Sequence, residues 1–362
     1  MNSKKNFTAN NGKKLSVIIP TYNESEVIVK TIRSLVSVIE PVIEYEILVM
    51  DDNSPDKTWH IVNKTFPQKN ITAIRRLHDR GLAPAVLEGY NRATGDYLLV
   101  IDADGQHDEK IIPQMLKKIT SADIVAATRY TKGGGVKGWS KKRIFMSKFA
   151  ALLAKPFIAQ KVTDPMSGFY MITKELYAQK KHKLSAKGYK IFLDILCASP
   201  KAKVLEVPYY FKTRKLGESK LGFNVLIQYG LFLVKQFFKS PFFKFCVVGT
   251  TGVIINTFFL WFLTEYVGLF YLLSSAIAIE LSILSNFTLN NFWTWKHRKG
   301  KYFPRLCKFN LVSIFALFIN MSVLYILVEF FGMWYILANF VGIACALIIN
   351  FIGNDRWTFN EK

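Results

Sequence analysis

Three short polar clusters follow directly on apolar runs: Pro20-Thr21-Tyr22-Asn23-Glu24, Asp51-Asp52, and Asp102-Ala103-Asp104 followed by Gln106. An Asp-x-Asp that closes an apolar strand carries two carboxylates flanking one residue, so both can face one cation. Such oxygen ligands suit Mg²⁺ or Mn²⁺. The chemistry served is the departure of a charged leaving group, such as a nucleotide diphosphate, whose growing charge a cation neutralises. Surface turns carry many isolated Asp-x-Asp triplets. One that ends a strand, in register with two other acidic strand ends, is a much more specific signal.

The elements that must position these residues are legible as alternating strands and helices. Leu15–Ile19 is a continuous apolar run that fits a strand buried on both faces. Asn23 and Glu26 read as a helix start, with apolar residues at helical spacing (Val27, Ile28, Ile32, Leu35, Val36, Ile39) behind them. Tyr45–Met50, Ile71–Leu77, Tyr97–Ile101 and Ile124–Thr128 read as further strands, and 83–94 as a helix closed by Gly95. The order predicts an open α/β sheet, Rossmann-like and mostly parallel. Its ligands bind at the carboxyl edge of the strands, where the three clusters lie.

The remainder of the 362 residues has a different composition. Residues 245–295 and 309–355 hold no Lys or Arg and are mostly Phe, Leu, Ile and Val. Hydropathy predicts spans at about 245–265, 271–292, 309–330 and 335–353, each near the ~20 residues that cross a bilayer. Basic residues crowd the middle connector (Lys296, Arg298, Lys299, Lys301, Arg305, Lys308), and the other two connectors have none. That asymmetry puts the middle connector, the catalytic half and both termini on the cytoplasmic side. At an offset of 64 residues the membrane half repeats without gaps: Lys244 with Lys308, Asn256 with Asn320, Gly268 with Gly332, Trp293 with Trp357. The expected architecture is therefore two duplicated hairpins, parallel repeats that serve as an anchor or handle lipid. Glu280 falls mid-span, where a carboxylate is costly; it either acts or pairs with an Asn or Ser across helices.

A net charge of +22 fits nucleic acid, an anionic membrane or a phosphate-rich substrate. No nucleic-acid-binding motif accompanies it, and the aromatics concentrate in the membrane half, so nucleic acid is the weakest partner. The four cysteines lack paired spacing and are expected as free thiols. Residues 1–13 are polar, without an apolar signal core, and are expected to be disordered or partly foreign to the natural chain.

Residues 15–220 resemble the family-2 glycosyltransferases of GT-A fold, and within them the dolichol-phosphate mannosyltransferases. The resemblance is carried by VIIPTYNE (17–24), DDNSPDKT (51–58), DRGLAPAVLEGYNRATGDY (79–97), DADGQH (102–107), TRY (128–130), DPMSGFY (164–170) and RKLGESKL (214–221). It implies that Pro20, Tyr22 and Glu24 contact the nucleoside and Asp52 its base. Asp102 and Asp104 would hold the metal and diphosphate, with Gln106 as a further ligand. Asp164 would face the sugar hydroxyls, and Arg80 would touch the diphosphate. The Gln-x-x-Arg-Trp motif of processive members is missing, which implies transfer of one sugar.

The resemblance also implies an acceptor phosphate site. Lys141–Lys161 interleaves Lys141, Lys142, Arg143, Lys148 and Lys155 with Ile144, Phe145, Phe149, Leu152 and Leu153, a pattern that predicts a helix lying in the membrane interface at about 141–158. A second interfacial helix is expected within 221–243, too short to span. In this setting the acceptor is a lipid phosphate, and arginines can fork onto it. Arg129, Arg143 and Arg214 are the candidates, with Ser147 one turn after Arg143. The domains are thus 14–220 catalytic, 221–243 interfacial and 244–362 transmembrane. The implied reaction is transfer of mannose from GDP-mannose to dolichyl or polyprenyl phosphate, in a prokaryotic plasma membrane. A UDP-glucose-dependent polyprenyl-phosphate glucosyltransferase shares the same logic, and a sugar-lipid translocase with a sensing domain is the reading from another class.

Overall fold

A computed structural model describes residues 12–185, 190–213 and 223–360 (backbone alone for 223–226). Most of the expected N-terminal disorder, Arg214 and the 214–221 motif lie outside the described residues. The chain forms two compact units, Met1–Leu233 and Val234–Lys362.

The first unit is built on strands β1 (Lys14–Thr21), β2 (Glu44–Asp51), β3 (Ile71–Arg75), β4 (Tyr97–Val100), β5 (Ile124–Thr128), β6 (Gly135–Val136), β7 (Tyr170–Thr173), β8 (Val204–Pro208) and β9 (Tyr210–Phe211). Seven form one sheet in the order β3-β2-β1-β4-β7-β5-β8, and β6 pairs with β9 beside it. Among the described strands of the main sheet, only β7 runs antiparallel. Helices α1 (Ile28–Ile39), α2 (Thr58–Thr65) and α4 (Ile112–Ile119) cover one face, with Leu15, Val17 and Ile19 of β1 beneath them. On the other face α3 (Leu82–Arg92), α6 (Lys174–Lys180) and α7 (Ile191–Ala198) lie over Ile18, Leu48 and Met50. Both faces being covered, β1 is buried from Leu15 to Thr21, which is why Val17–Pro20 runs apolar on both faces rather than alternating.

Two local expectations are corrected. Asn23 does not cap α1: it sits in left-handed backbone at φ 54°. A turn follows, in which Ile28 N–H donates to Glu24 O at 2.9 Å, before the helix begins at Ile28. Gly95 is not the left-handed cap of α3, which ends at Arg92 with an extended Ala93. Its lack of a side chain lets the chain pass β1, since a Cβ there would stand 2.6 Å from Ser16 Oγ and 2.7 Å from Lys14 O. Gly89 is likewise a close-approach glycine; a Cβ there would run 2.6 Å from Ile18 Cγ2.

α5 (Lys141–Ala154) buries only Ala151 and Ala154 and leaves Phe145, Met146, Phe149, Leu152 and Leu153 exposed. α8 (Phe223–Lys239) follows the undescribed segment; its Tyr229 hydroxyl donates to Ala150 O at 2.5 Å.

In the second unit, Ser240 caps α9 (Pro241–Trp261), accepting from Phe243 N–H at 3.1 Å, so the first span starts earlier than hydropathy places it. α10 (Tyr271–Leu289), α11 (Tyr302–Glu329) and α12 (Tyr335–Gly353) complete the bundle. With their terminal π-helical turns, four helices are long and apolar enough to cross a membrane: Pro241–Tyr266, Tyr271–Thr294, Tyr302–Glu329 and Tyr335–Thr358. The third starts at Tyr302, not 309, because Arg305 is accommodated inside the protein. Its guanidinium donates to the Arg298 carbonyl at 3.0 Å and to the Lys299 carbonyl, and lies over the Phe359 ring.

The 64-residue repeat reappears as geometry. π-turns occupy Asn290–Thr294 and Asn354–Thr358, and Gly268 and Gly332 both have positive φ. Lys244 lies over Trp293 at 5.8 Å and Lys308 over Trp357 at 6.0 Å. Trp295 and Phe359 stack on one another at 4.3 Å. Glu280 stands on an exposed face of α10.

Candidate active site

The backbone of the loop leaving β1 is tied to side chains of the loop leaving β2. Asn23 N–H donates to Ser54 Oγ at 3.0 Å, Glu24 N–H to Thr58 Oγ1 at 3.1 Å, and Ser25 N–H to Asp56 Oδ2 at 3.0 Å. The two motifs therefore form one structure. Asp51 belongs to its framework, accepting from Ser54 N–H at 2.8 Å and Ser54 Oγ at 2.7 Å while fully buried. Left-handed backbone at Asn23, Asn53, Asp79 and Gly105 turns the chain sharply after four successive strands. Asn, Asp and Gly tolerate that conformation, so these loops keep to the sheet edge.

Asp52 is held rather than free. Its carboxylate pairs with the Arg76 guanidinium and accepts Gly81 N–H at 2.6 Å. Burial pushes its carboxyl up, while Gly81 and Arg76 pull it down. Arg76, itself buried, also reaches Glu88 at 2.8 Å and Asp79 O at 2.7 Å. It thus locks the loop that carries Arg80, whose own side chain is exposed. Tyr22 is 42 % exposed at the rim and Glu24 is buried behind it.

Asp102 and Asp104 extend from β4, and Asp104 Oδ1 accepts Gln106 N–H at 3.1 Å. Gln106 is clamped to the strand end beyond β9: its Nε2 donates to Lys212 O at 2.8 Å, and Lys212 N–H donates to Gln106 O at 2.8 Å. That leaves the Gln106 amide oxygen as its metal-type donor. Among the described residues no three His, Cys, Asp or Glu side chains form a metal cage by themselves. Two carboxylates and an amide oxygen fit Mg²⁺ or Mn²⁺ of the kind that completes its shell with water and substrate phosphates.

The antiparallel β7 brings Asp164 and Gly168 to the same edge. A Cβ on Gly168 would come within 3.0 Å of Asp102 Cγ, so the carboxylate lies directly on that backbone. Asp164, fully buried, forms a fork with Arg129 at the end of β5: Nε to Oδ2 at 2.6 Å and Nη2 to Oδ1 at 2.9 Å. Burial would lower the Arg129 pKa, but the Asp164 bonds and charge raise it overall. The expected sugar ligand and the expected phosphate ligand are thus each other's partners. Arg129 lies over Trp139 at 5.3 Å, and Arg143, itself exposed, lies over the same indole at 4.2 Å. Ser147 accepts the Tyr130 hydroxyl at 2.6 Å. Arg129, Arg143 and Ser147 are therefore gathered around Tyr130 and Trp139, and Pro20 stays in β1 at the nucleoside end.

Sequence reasoning did not single out four residues that shape this edge. Arg76, His107, Trp139 and Lys190 look ordinary in isolation, since their roles depend on neighbours that only the fold assembles. Lys190 feels the charges of Arg129, Asp164 and Asp102; burial, then the Arg129 charge, lowers its pKa.

Residues 16–179 match the glycosyl transferase family 2 model, and 244–360 match the GtrA/DPMS transmembrane domain. A dolichol-phosphate mannosyltransferase of Pyrococcus furiosus is 37% identical over 359 residues, covering 96% of this chain and 99% of that protein. The chain belongs to the dolichol-phosphate mannosyltransferase family. It is a glycosyltransferase with a GT-A catalytic domain and a multi-pass membrane domain. The Saccharomyces cerevisiae dolichol-phosphate mannosyltransferase is 34% identical over 224 residues, 59% of this chain and 83% of that one. Among solved structures, a glucosyl-3-phosphoglycerate synthase from Mycobacterium tuberculosis matches with TM-score 0.47 and 18% identity, over 64% of this chain and 81% of that one.

Proposed function

We propose that this enzyme transfers one mannose from GDP-mannose to a dolichyl or polyprenyl phosphate at the cytoplasmic membrane face, with inversion. Membership of the family implies a nucleotide-sugar donor and a polyprenyl phosphate acceptor. One observation carries the residue assignment. Asp102 packs on Gly168, the loop that carries Gly168 also carries Asp164, and from Asp164 contacts run through Arg129 and Trp139 to Arg143. This arrangement joins a carboxylate end suited to a diphosphate with a guanidinium end suited to a phosphate.

In this reading Pro20, Tyr22 and Glu24 line the nucleoside, and Asp52, pinned by Arg76, borders the base. Asp102, Asp104 and the Gln106 amide oxygen would hold Mg²⁺ or Mn²⁺, which when bound neutralises charge on the departing diphosphate. Asp164, fully buried, serves the sugar end by fixing the Arg129 guanidinium rather than by meeting hydroxyls itself. Arg129, Arg143, Ser147 and Arg214 hold the acceptor phosphate against repulsion from the donor. An acceptor phosphate oxygen attacks the anomeric carbon from the face opposite the diphosphate, and the C–O bond to GDP breaks with its electron pair. The nucleophile is already ionised, so positioning and charge supply the catalysis and no strong protein base is required.

α5 and α8 lie in the membrane interface, a placement supported by the exposed Phe145, Phe149, Leu231 and Phe238 among lysines. The basic connector between the second and third spans supports a cytoplasmic catalytic half. The end-to-end match with the Pyrococcus protein supports a prokaryotic plasma membrane. The test is to incubate membranes with labelled GDP-mannose or UDP-glucose and count the lipid extract. Lipid label from GDP-mannose is expected, and label from UDP-glucose alone would overturn the donor assignment.

A further inference from the structure

His107 has no part in the reaction as read above, yet it is tied to the residue at its centre. The imidazole is 3% exposed and ringed by Phe169 at 5.3 Å, Tyr209 at 5.6 Å and Phe211 at 5.2 Å. Two polar contacts leave that aromatic box. Nε2 lies 3.1 Å from Asp102 Oδ2, and Nδ1 lies 3.0 Å from the Tyr209 hydroxyl. A carboxylate only accepts, so Nε2 carries a hydrogen and donates it to Asp102. The Tyr209 hydroxyl serves Nδ1 as donor to a neutral ring or acceptor from a charged one, and so fixes the ring plane in either state. Asp102 is thus restrained by His107 at Oδ2 and by the bare backbone of Gly168, where no Cβ could fit.

We propose that His107, oriented by Tyr209, is a positioning residue that sets the rotamer of Asp102 and keeps Oδ1 available to the donor's cation. This rests on the reading of Asp102 as a cation ligand. A carboxylate on a partly exposed strand end otherwise rotates among staggered states, and only some direct an oxygen to the site. Loss of a partner that orients a ligating group typically weakens metal affinity by about 10–100-fold.

The test is a Mn²⁺ titration followed by electron paramagnetic resonance, on the full-length detergent-purified protein with GDP and no acceptor. His107→Phe keeps the aromatic box and removes the donor; the Mn²⁺ dissociation constant is expected to rise about 10–100-fold. Two amide variants separate positioning from packing. Glutamine carries its NH₂ near the Nε2 position and can reach Asp102, whereas asparagine matches Nδ1 and cannot. His107→Gln is expected to bind Mn²⁺ nearly as the parent does, and His107→Asn as poorly as the Phe variant. Tyr209→Phe is expected to fall between. The KM for GDP-mannose should follow the same order while acceptor KM stays unchanged. If the Gln and Asn variants bind Mn²⁺ equally well, the positioning proposal is overturned, including where the Phe variant fails to fold. Asp102→Asn separates the underlying reading. Unchanged Mn²⁺ affinity in that variant would remove Asp102 as a ligand, and weakened affinity there with a normal His107→Asn would sink the proposal alone.

Discussion

Asp164 illustrates how a residue's role depends on what it meets. From sequence it is a carboxylate for sugar hydroxyls; in the fold it is the buried counter-ion of Arg129. Removing one partner of a buried ion pair strands the other charge and costs about 3–5 kcal/mol. Asp164→Asn should therefore lower the thermal midpoint of the detergent-solubilised protein markedly and depress activity with it. An unaltered midpoint would mean that the pair is dispensable to the fold. A second prediction concerns the acceptor. Its phosphomonoester has a second pKa of about 6, and the dianion is the better nucleophile. As pH falls through that value the nucleophile is protonated, so turnover should drop on the acid side and level off above it. An acid limb that moved on substitution of an Asp or Glu would instead point to a protein base.

Among the elements, the decisive one is the antiparallel β7. Its entry loop carries Asp164 and Gly168 to an edge otherwise made from the exits of parallel strands. The motif DPMSGFY was recognisable, but its neighbours were not. Antiparallel insertion between β4 and β5 is a long-range pairing that local pattern does not specify. α5 carries the element-scale prediction. Phe145 is 66% exposed and stacks on Phe149 at 6.2 Å, and Phe149 is exposed as well. If they sit in the interface, Phe145→Ser with Phe149→Ser should reduce transfer to a long polyprenyl phosphate several-fold. Transfer to a short, water-soluble prenyl phosphate should be little changed, because the bound phosphate groups are untouched. Equal losses with both acceptors would argue for a packing role.

At the scale of the whole molecule, a globular catalytic unit is joined in sequence to a duplicated four-helix unit. The repeat places matching lysines over matching tryptophans near the ends that the charge pattern proposes as cytoplasmic. Cys307, exposed in the first turns of α11, reports on that assignment. In intact cells an impermeant maleimide should leave it unlabelled, and permeabilisation should expose it. Labelling in intact cells would invert the topology.

Periodicity and composition by themselves determined the α/β class, the strand-end placement of Asp52, Asp102 and Asp104, the four spans and their 64-residue repeat. These are local or compositional signals: a buried strand must be apolar, and a span must be long. The fork between Arg129 and Asp164, the Arg76 lock on Asp52, the indole shared by Arg129 and Arg143, and the His107 contact to Asp102 were decided only by tertiary structure. Several of these join groups tens of residues apart, His107 and Tyr209 by 102 positions. Even His107 and Asp102, five positions apart, meet only because the loop after β4 folds back against Tyr209 and Phe211. Spacing along the chain does not encode which side chain fills the space beside a carboxylate; that is set by how the sheet edge packs.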